Sequence, residues 1–501
     1  MENVLEWLDE RAQRTPDAVA CADATNRCTF AELHGAVRSI ARSVARQWAP
    51  GSIVAFYAEK SVDVLAGMLG AARAGCCYSV LDVRQPAARL HAMLDVLQPC
   101  AVVSDAAFYD HAAQMLDGTP YEVCDIASLR AGGQGDANAD ELLEQVQPGR
   151  GDALYVNFTS GSTGVPKGVA VSHGSVIDFI SYFVDVFGIT ARDRIANQAP
   201  FDFDVSVKDI YGGLATGASV HLIPREYFSV PVQLMDYLCE RQVTVCTWAV
   251  SAMCFVTTLG GFEYRTPDTV RLVVFSGEVM PPKHLRKWQA ALPDATFANV
   301  YGPTEVTCNC TYWIVPAGFD GDVLPVGRPF AHAQVMLLDE QDALVTEPGE
   351  QGQICVGGSG VALGYVHDPV RTSESFTVNP VDGTGRIYRT GDLGFWNEAG
   401  ELMFLGRADH QIKHMGQRIE LGEIEHVAQE LAGVSRAICL YDDARKRIRL
   451  FYTGEVAKDD LVAFLKDKLP SYMVPNKTVQ LDQMPLNKNG KVDRSALAQL
   501  R

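Results

Sequence analysis

Ten consecutive residues, Thr159-Ser160-Gly161-Ser162-Thr163-Gly164-Val165-Pro166-Lys167-Gly168, gather hydroxyls, glycines and one lysine directly behind the apolar run Ala153 to Phe158. The combination suits a phosphate group. Glycines reach positive φ and let backbone amides approach an anion, the Ser and Thr hydroxyls add donors, and Lys167 brings positive charge. A solvated Ser/Gly linker would need neither the strand-like lead-in nor the Pro-Lys-Gly exit into a second apolar run, Val169 to Val171. The spacing also departs from G-x-x-x-x-G-K-[ST], because Gly168 rather than a hydroxyl residue follows Lys167.

Three further clusters could carry chemistry. Asn299-Val300-Tyr301-Gly302-Pro303-Thr304-Glu305 offers a ring to stack on a base, a hydroxyl for phosphate and a carboxylate able to hold Mg2+. Tyr388-Arg389-Thr390-Gly391-Asp392 places an acid where it could accept hydrogen bonds from ribose hydroxyls. Asn489-Gly490-Lys491-Val492-Asp493-Arg494 puts a lysine beside an Asn-Gly turn. Singly, each reads most simply as a turn, and it is their combination that points to nucleotide chemistry.

The elements that must position these residues alternate in type. Apolar runs of buried-strand character (Ile53 to Tyr57, Ala101 to Val103, Leu154 to Phe158, Val220 to Ile223, Val243 to Thr247, Leu272 to Ser276) are separated by segments of helical period. Val62 to Ala74 is the clearest helix, with Val62, Leu65, Ala66, Leu69 and Ala72 on one face, and the alternation predicts an α/β fold. Ala131-Gly132-Gly133-Gln134-Gly135-Asp136 reads as a surface loop, and Val335 to Val356 with Glu401 to Leu405 as an antiparallel region. After Gly406-Arg407-Ala408-Asp409 come a helix, Glu420 to Leu431, a strand, Ala437 to Tyr441, and a helix, Leu461 to Leu469, a plausible small α+β domain.

At 501 residues, two or more domains are expected, and 47% hydrophobic with 21% charged residues is ordinary globular composition. A net charge of −18 argues against nucleic acid as a partner. Arg445-Lys446-Arg447-Ile448-Arg449, the densest basic cluster, follows two aspartates and reads as a charged turn between strands. The start lacks a signal peptide's basic and apolar regions, and no apolar run approaches the roughly 20 residues of a membrane span, so a cytoplasmic protein is expected. Thirteen cysteines, many in apolar segments, read as reduced and mostly buried, with neither Cys76-Cys77 nor Cys308-x-Cys310 completing a zinc set.

Taken together and in order, these segments resemble the adenylate-forming superfamily: acyl- and aryl-CoA synthetases, luciferases and the amino-acid-activating domains of nonribosomal peptide synthesis. The resemblance runs from Cys28-Thr29-Phe30-Ala31-Glu32-Leu33 to the Lys491 turn, nearly the whole chain. Phe203-Asp204-Val205-Ser206-Val207 and Leu469-Pro470-Ser471-Tyr472-Met473-Val474-Pro475 are similar to the amino-acid-activating branch in particular. It implies a large N-terminal core of layered sheets and helices, 1–408, and a small mobile α+β domain, 409–501. It implies a carboxylate attacking the α-phosphate of Mg·ATP to give an acyl-adenylate, then transfer to a thiol. Thr159, Ser160, Gly161, Ser162, Thr163, Gly164 and Lys167 would hold the β- and γ-phosphates, Tyr301 would stack on adenine, and Asp392 would bind the ribose, with Arg407 also at the nucleotide. Thr304 would contact the α-phosphate, Glu305 would bind Mg2+, and Lys491 would stabilise charge developing on the attacked phosphate. Asp409 would be the hinge, and Gly416 the glycine beside which the thiol arm passes. The chain ends ten residues after Lys491, so the expected acceptor is a phosphopantetheinyl carrier protein in trans or, failing that, coenzyme A.

The same resemblance assigns the substrate ammonium to Asp204 and the pocket to Val205, Lys208, Thr247, Val274, Ser276, Val300, Cys308 and Asn309. Lys208 lies four residues after Asp204, on the same helix face, and a buried lysine wants a partner. That partner is an acidic substrate side chain, or Asp204, or a surface carboxylate. Phe275-Ser276-Gly277-Glu278-Val279-Met280-Pro281 and the chain length are similar to D-alanine:carrier-protein ligase, which takes a small side chain, although Ser276 stands where that ligase typically has cysteine. A catalytically silent nucleotide-binding subunit is the alternative of another class.

Overall fold

Local signals start the main helices. The Ser61 hydroxyl accepts the Val64 N–H at 3.2 Å and opens the helix Val62–Arg73, which ends one residue short of the expected Ala74, itself the cap residue. Thr29 and Glu32 cap reciprocally, Glu32 N–H to the Thr29 hydroxyl at 3.2 Å and Thr29 N–H to Glu32 Oε2 at 2.8 Å. The Cys28-Thr29-Phe30-Ala31-Glu32 motif is therefore the start of the helix Phe30–Gln47.

The protein is described from a computed structural model covering residues 1–135, 137–161, 165–407, 411–443, 445–485 and 492–500. It divides into two compact units, Met1–Val83 with Leu97–Asn157 and Val169–Gly406, and Arg84–Val96 with Phe158–Gly168 and Arg407–Arg501.

The first unit is built on three sheets. In the nine-stranded sheet, Thr296–Tyr301, Leu272–Ser276, Val245–Ala249, Arg194–Asn197, Ser219–Leu222 and Val19–Ala22 lie side by side and parallel. Their near-continuous apolar sequences reflect burial on both faces. A seven-stranded sheet holds Ala101–Ser104, Ile53–Tyr57, Cys77–Leu81, Ala153–Thr159 and Lys167–Ser172 in sequence across it. A third sheet pairs Ala333–Leu338, Gly352–Gly358 and Arg386–Trp396 antiparallel, as the 335–356 pattern predicts. The expected loop at 131–136 is shorter than predicted, because Ala131 and Gly132 complete the helix Ile126–Gly132 and Ala137–Gln145 forms another.

In the second unit the helices Leu421–Glu430 and Lys458–Lys468 accompany the three-stranded sheet of Val434–Asp442, Arg447–Gly454 and Lys477–Gln480. Ile424, Cys439, Leu450, Tyr452, Leu461 and Met473 form its core. Fold class is thus as expected, α/β with a large N-terminal part and a smaller α+β C-terminal one. Among the described residues no cysteine forms a disulfide, and nine of the thirteen are buried. Among the described residues, no helix is long and apolar enough to cross a membrane.

Candidate functional site

The parallel strands of the nine-stranded sheet bring their C-terminal ends together, the place where open α/β sheets bind ligands. Thr247 is in register with Val274 and Ala249 with Ser276 on neighbouring strands, and Val300 and Tyr301 end the next. Asp204 and Val205 precede the helix Ser206–Thr216, which carries Lys208. All nine predicted substrate-pocket residues, Asp204, Val205, Lys208, Thr247, Val274, Ser276, Val300, Cys308 and Asn309, are buried.

Their polar atoms are tied to one another. Lys208 Nζ donates to Ser276 Oγ at 3.3 Å. Thr247 donates to Asp209, which also accepts from Asn197 Nδ2 at 2.8 Å, and burial raises the Asp209 carboxyl to about 7. Thr307 and Cys308 both have positive φ, 61° and 72°, folding the 308–310 turn back onto Gly302. A Cβ on Gly302 would lie 2.6 Å from Asn309 Cα, so only glycine fits there.

One residue beyond Val300, the Tyr301 hydroxyl donates to Asp392 Oδ2 at 2.5 Å, with both residues buried. Asp392 is oriented by its own N–H, bonded to Thr390 Oγ1 at 3.0 Å. Thr304 and Glu305 follow in a short 3-10 turn, and buried Glu305 accepts from Tyr365 Oη at 3.0 Å.

Thr159, Ser160, Gly161 and Lys167 fall in the second unit, as does Arg407 at the end of the strand Leu402–Arg407. The buried Thr159 hydroxyl has no partner among the described residues, and a Cβ on Gly161 would lie 2.0 Å from the Val165 carbonyl oxygen. Ser160 Oγ donates to the Arg418 carbonyl at 2.8 Å and accepts the Glu420 N–H at 3.0 Å. Ser162, Thr163, Gly164, Asp409 and Lys491 lie outside the described residues.

Sequence reasoning missed three participants. Lys60 Nζ donates to Asn197 Oδ1 at 2.9 Å and to the carbonyls of Asn197, Gln198 and Ala199 at 3.0, 2.9 and 3.4 Å, bracing the segment that leads to Asp204. Tyr365 orients Glu305, and Arg89 forms a buried ion pair with Glu423. No local pattern marks Lys60 or Tyr365, whereas Arg89 and Glu423 each sit at a helix position flanked by apolar residues, a weak sign of burial.

In the second unit an unpartnered Thr159 hydroxyl and a glycine that admits no side chain suit a phosphate; in the first a tyrosine joined to an acid suits a nucleoside, and the buried Glu305 carboxylate suits a divalent cation. The sequence pattern of AMP-binding enzymes matches residues 8–366. The chain belongs to the AMP-binding enzyme family. This AMP-binding enzyme is 33% identical over 499 residues to bacitracin synthase 3 of Bacillus licheniformis, matching 98% of this chain but 8% of that protein. It is 30% identical over 511 residues to tyrocidine synthase 1 of Brevibacillus parabrevis, matching 99% of this chain and 45% of that protein. The chain thus spans less than half the length of either relative. It superposes on holo-AB3403, a four-domain nonribosomal peptide synthetase bound to AMP and glycine, with TM-score 0.70 and 28% identity, over 98% of this chain and 36% of the other. The Vibrio cholerae adenylation domain AlmE shares the fold with TM-score 0.86 at 23% identity, covering 99% of this chain and 97% of AlmE.

Proposed function

We propose that this chain activates an amino acid with ATP and transfers it to the phosphopantetheine thiol of a separate carrier protein. The observation that carries the reading is the buried Tyr301–Asp392 pair one residue beyond Val300, on the same sheet as the pocket holding Asp204 and Lys208. A nucleoside side and a carboxylic-acid side thereby meet along one strand end. The similarity to a bacitracin synthase and to a synthetase bound to AMP and glycine supports an amino acid as the acid.

In the first step a carboxylate oxygen of the substrate bonds to the α-phosphorus, the bond to the β-phosphate oxygen breaks and pyrophosphate leaves. Asp204 holds the substrate ammonium, Tyr301 lies against adenine and Asp392 accepts from the ribose hydroxyls. Thr159, Ser160, Gly161 and Lys167 would serve the β- and γ-phosphates, and Thr304 and Lys491 the α-phosphate. Glu305 would hold Mg2+, which supplies charge neutralisation at the phosphate oxygens when bound. In the second step the carrier thiol sulfur bonds to the acyl carbon, AMP leaves and the thiol proton passes to solvent.

The test is amino-acid-dependent exchange of pyrophosphate into ATP, followed by mass spectrometry of a holo carrier protein supplied in trans. Exchange that disappears in Lys491→Ala, with an aminoacyl mass added to the carrier, is the expected result. Exchange with fatty or aryl acids alone, or with nothing, would overturn the reading.

A further inference from the structure

Lys208 is fully buried, yet among the described residues its ammonium has a single hydrogen-bond partner, the neutral hydroxyl of Ser276 at 3.3 Å. An ammonium carries three donors, and a charge taken out of water is expensive unless paired. Among the described residues no carboxylate lies within ion-pair distance of Lys208. Asp209, the next residue, has one oxygen on Thr247 and the other on Asn197. The Tyr155 hydroxyl is likewise buried without a partner among the described residues, in the same neighbourhood as Asp204 and Cys308, which both act on its ionisation. The Cys308 thiol in turn feels the charges of Lys208, Asp204 and Asp209.

We infer that Lys208 receives a carboxylate at the end of the substrate side chain, so that the amino acid activated is a dicarboxylic one of the aspartate or glutamate type. This rests on the amino-acid-activating reading given above. An acidic side chain would supply the counter-charge and the acceptors that Lys208 lacks, with Ser276 as a second donor to the same group. A small aliphatic side chain would leave the buried ammonium with only the more distant charge of Asp209 and no carboxylate in direct contact among the described residues, and a carboxamide would offer an acceptor without charge. The asymmetry between making and omitting such a contact is large, because a site built around a buried polar partner rejects the analogue that lacks it by orders of magnitude.

Pyrophosphate exchange is measured for wild type with aspartate, glutamate, asparagine, glutamine, alanine, glycine and leucine, and repeated for Lys208→Met and Lys208→Gln. The expected result is a kcat/KM for aspartate or glutamate exceeding that of its carboxamide by about 100-fold or more, a ratio that falls below about 10-fold in Lys208→Met. The wild-type panel stands even if a variant fails to fold. Wild-type preference for alanine, glycine, leucine or a carboxamide would overturn the inference while leaving the parent reading intact, as would an acidic preference retained in a folded Lys208→Met. Exchange with no amino acid at all would overturn the parent reading and the inference with it.

Discussion

The hydroxyl of Ser160 accepts the backbone N–H of Glu420 at 3.0 Å, joining a loop proposed to hold phosphate to the strand Gln417–Glu420 about 260 positions later. The same oxygen donates to Arg418 O at 2.8 Å, so the hydroxyl is engaged in both directions. A hydroxyl so engaged cannot also donate to a phosphate oxygen without releasing Arg418. Ser160→Ala is therefore expected to speed hydrogen exchange of the Glu420 amide by roughly five-fold, as loss of one net hydrogen bond of about 1 kcal/mol implies. No change in the variant would show that the contact is incidental.

Arg89 and Glu423 form an ion pair with 8% and 0% of their surfaces exposed. Burial pushes the Glu423 carboxyl up, against the Arg89 guanidinium that holds it down. Removing one partner of such a pair leaves the other charge stranded and typically costs about 3–5 kcal/mol, whereas replacing both with apolar residues is often near neutral. Urea denaturation should show Arg89→Met and Glu423→Leu each strongly destabilised and the double variant restored to within about 1–2 kcal/mol of wild type. Additive losses would mean that the pair is not coupled.

Tyr301 and Asp392 can be separated by substitution. Tyr301→Phe keeps the ring and removes only the donor to Asp392, so KM for ATP should move less than about three-fold. Asp392→Asn removes a charged acceptor, whose hydrogen bonds are worth about 1.5–3 kcal/mol, and should raise KM for ATP by roughly ten-fold or more. Equal losses in both variants would assign the effect to the tyrosine hydroxyl.

His173, His221 and His332 are each lowered from 6.5 to about 4, first of all by burial. Unfolded, each takes up a proton near 6.5; folded, it waits until about 4. Between these values the unfolded chain binds more protons, so stability is full above pH 6.5 and declines as pH falls toward 4. Asp209, raised to about 7 and so protonated first in the folded chain, acts in the opposite sense over this window and offsets about one of the three. Denaturant midpoints between pH 7.5 and 5 should fall with a limiting slope of about two protons, and His173→Gln should flatten it by about one.

Much of the layered core was legible because buried parallel strands read as continuous apolar runs. Ile53–Tyr57 and Leu272–Ser276 have the predicted bounds. The strand expected at Val243 begins instead at Val245, because the Val243 N–H bonds back to the Leu238 carbonyl at 3.0 Å and ends the turn after the preceding helix. The helix Ala137–Gln145 escaped notice because its anchor is remote: Arg38 and Arg42 both bind Asp140, at 2.8 Å, from about 100 residues away. The site divides in the same way. Tyr301, Asp392 and Asp204 stand in short contiguous motifs, whereas the partners that orient the site's acids, Tyr365 for Glu305 and Asn197 for Asp209, meet them only through the fold.

The Lys60 ammonium, lowered to about 7 by burial although the residue is partly exposed, clasps the carbonyls of Asn197, Gln198 and Ala199 at the C-terminal end of the strand Arg194–Asn197. The segment beyond carries Asp204, and the Asn197 side chain bonded by Lys60 also bonds Asp209. With the substrate pocket proposed above, substrate choice would be partly inherited from Lys60, which reaches Thr247 only through Asn197 and Asp209. Transplanting the pocket side chains alone into a related scaffold would move the lining without its footing, and a graft that carries Lys60 and Asn197 along with them should transfer selectivity more faithfully.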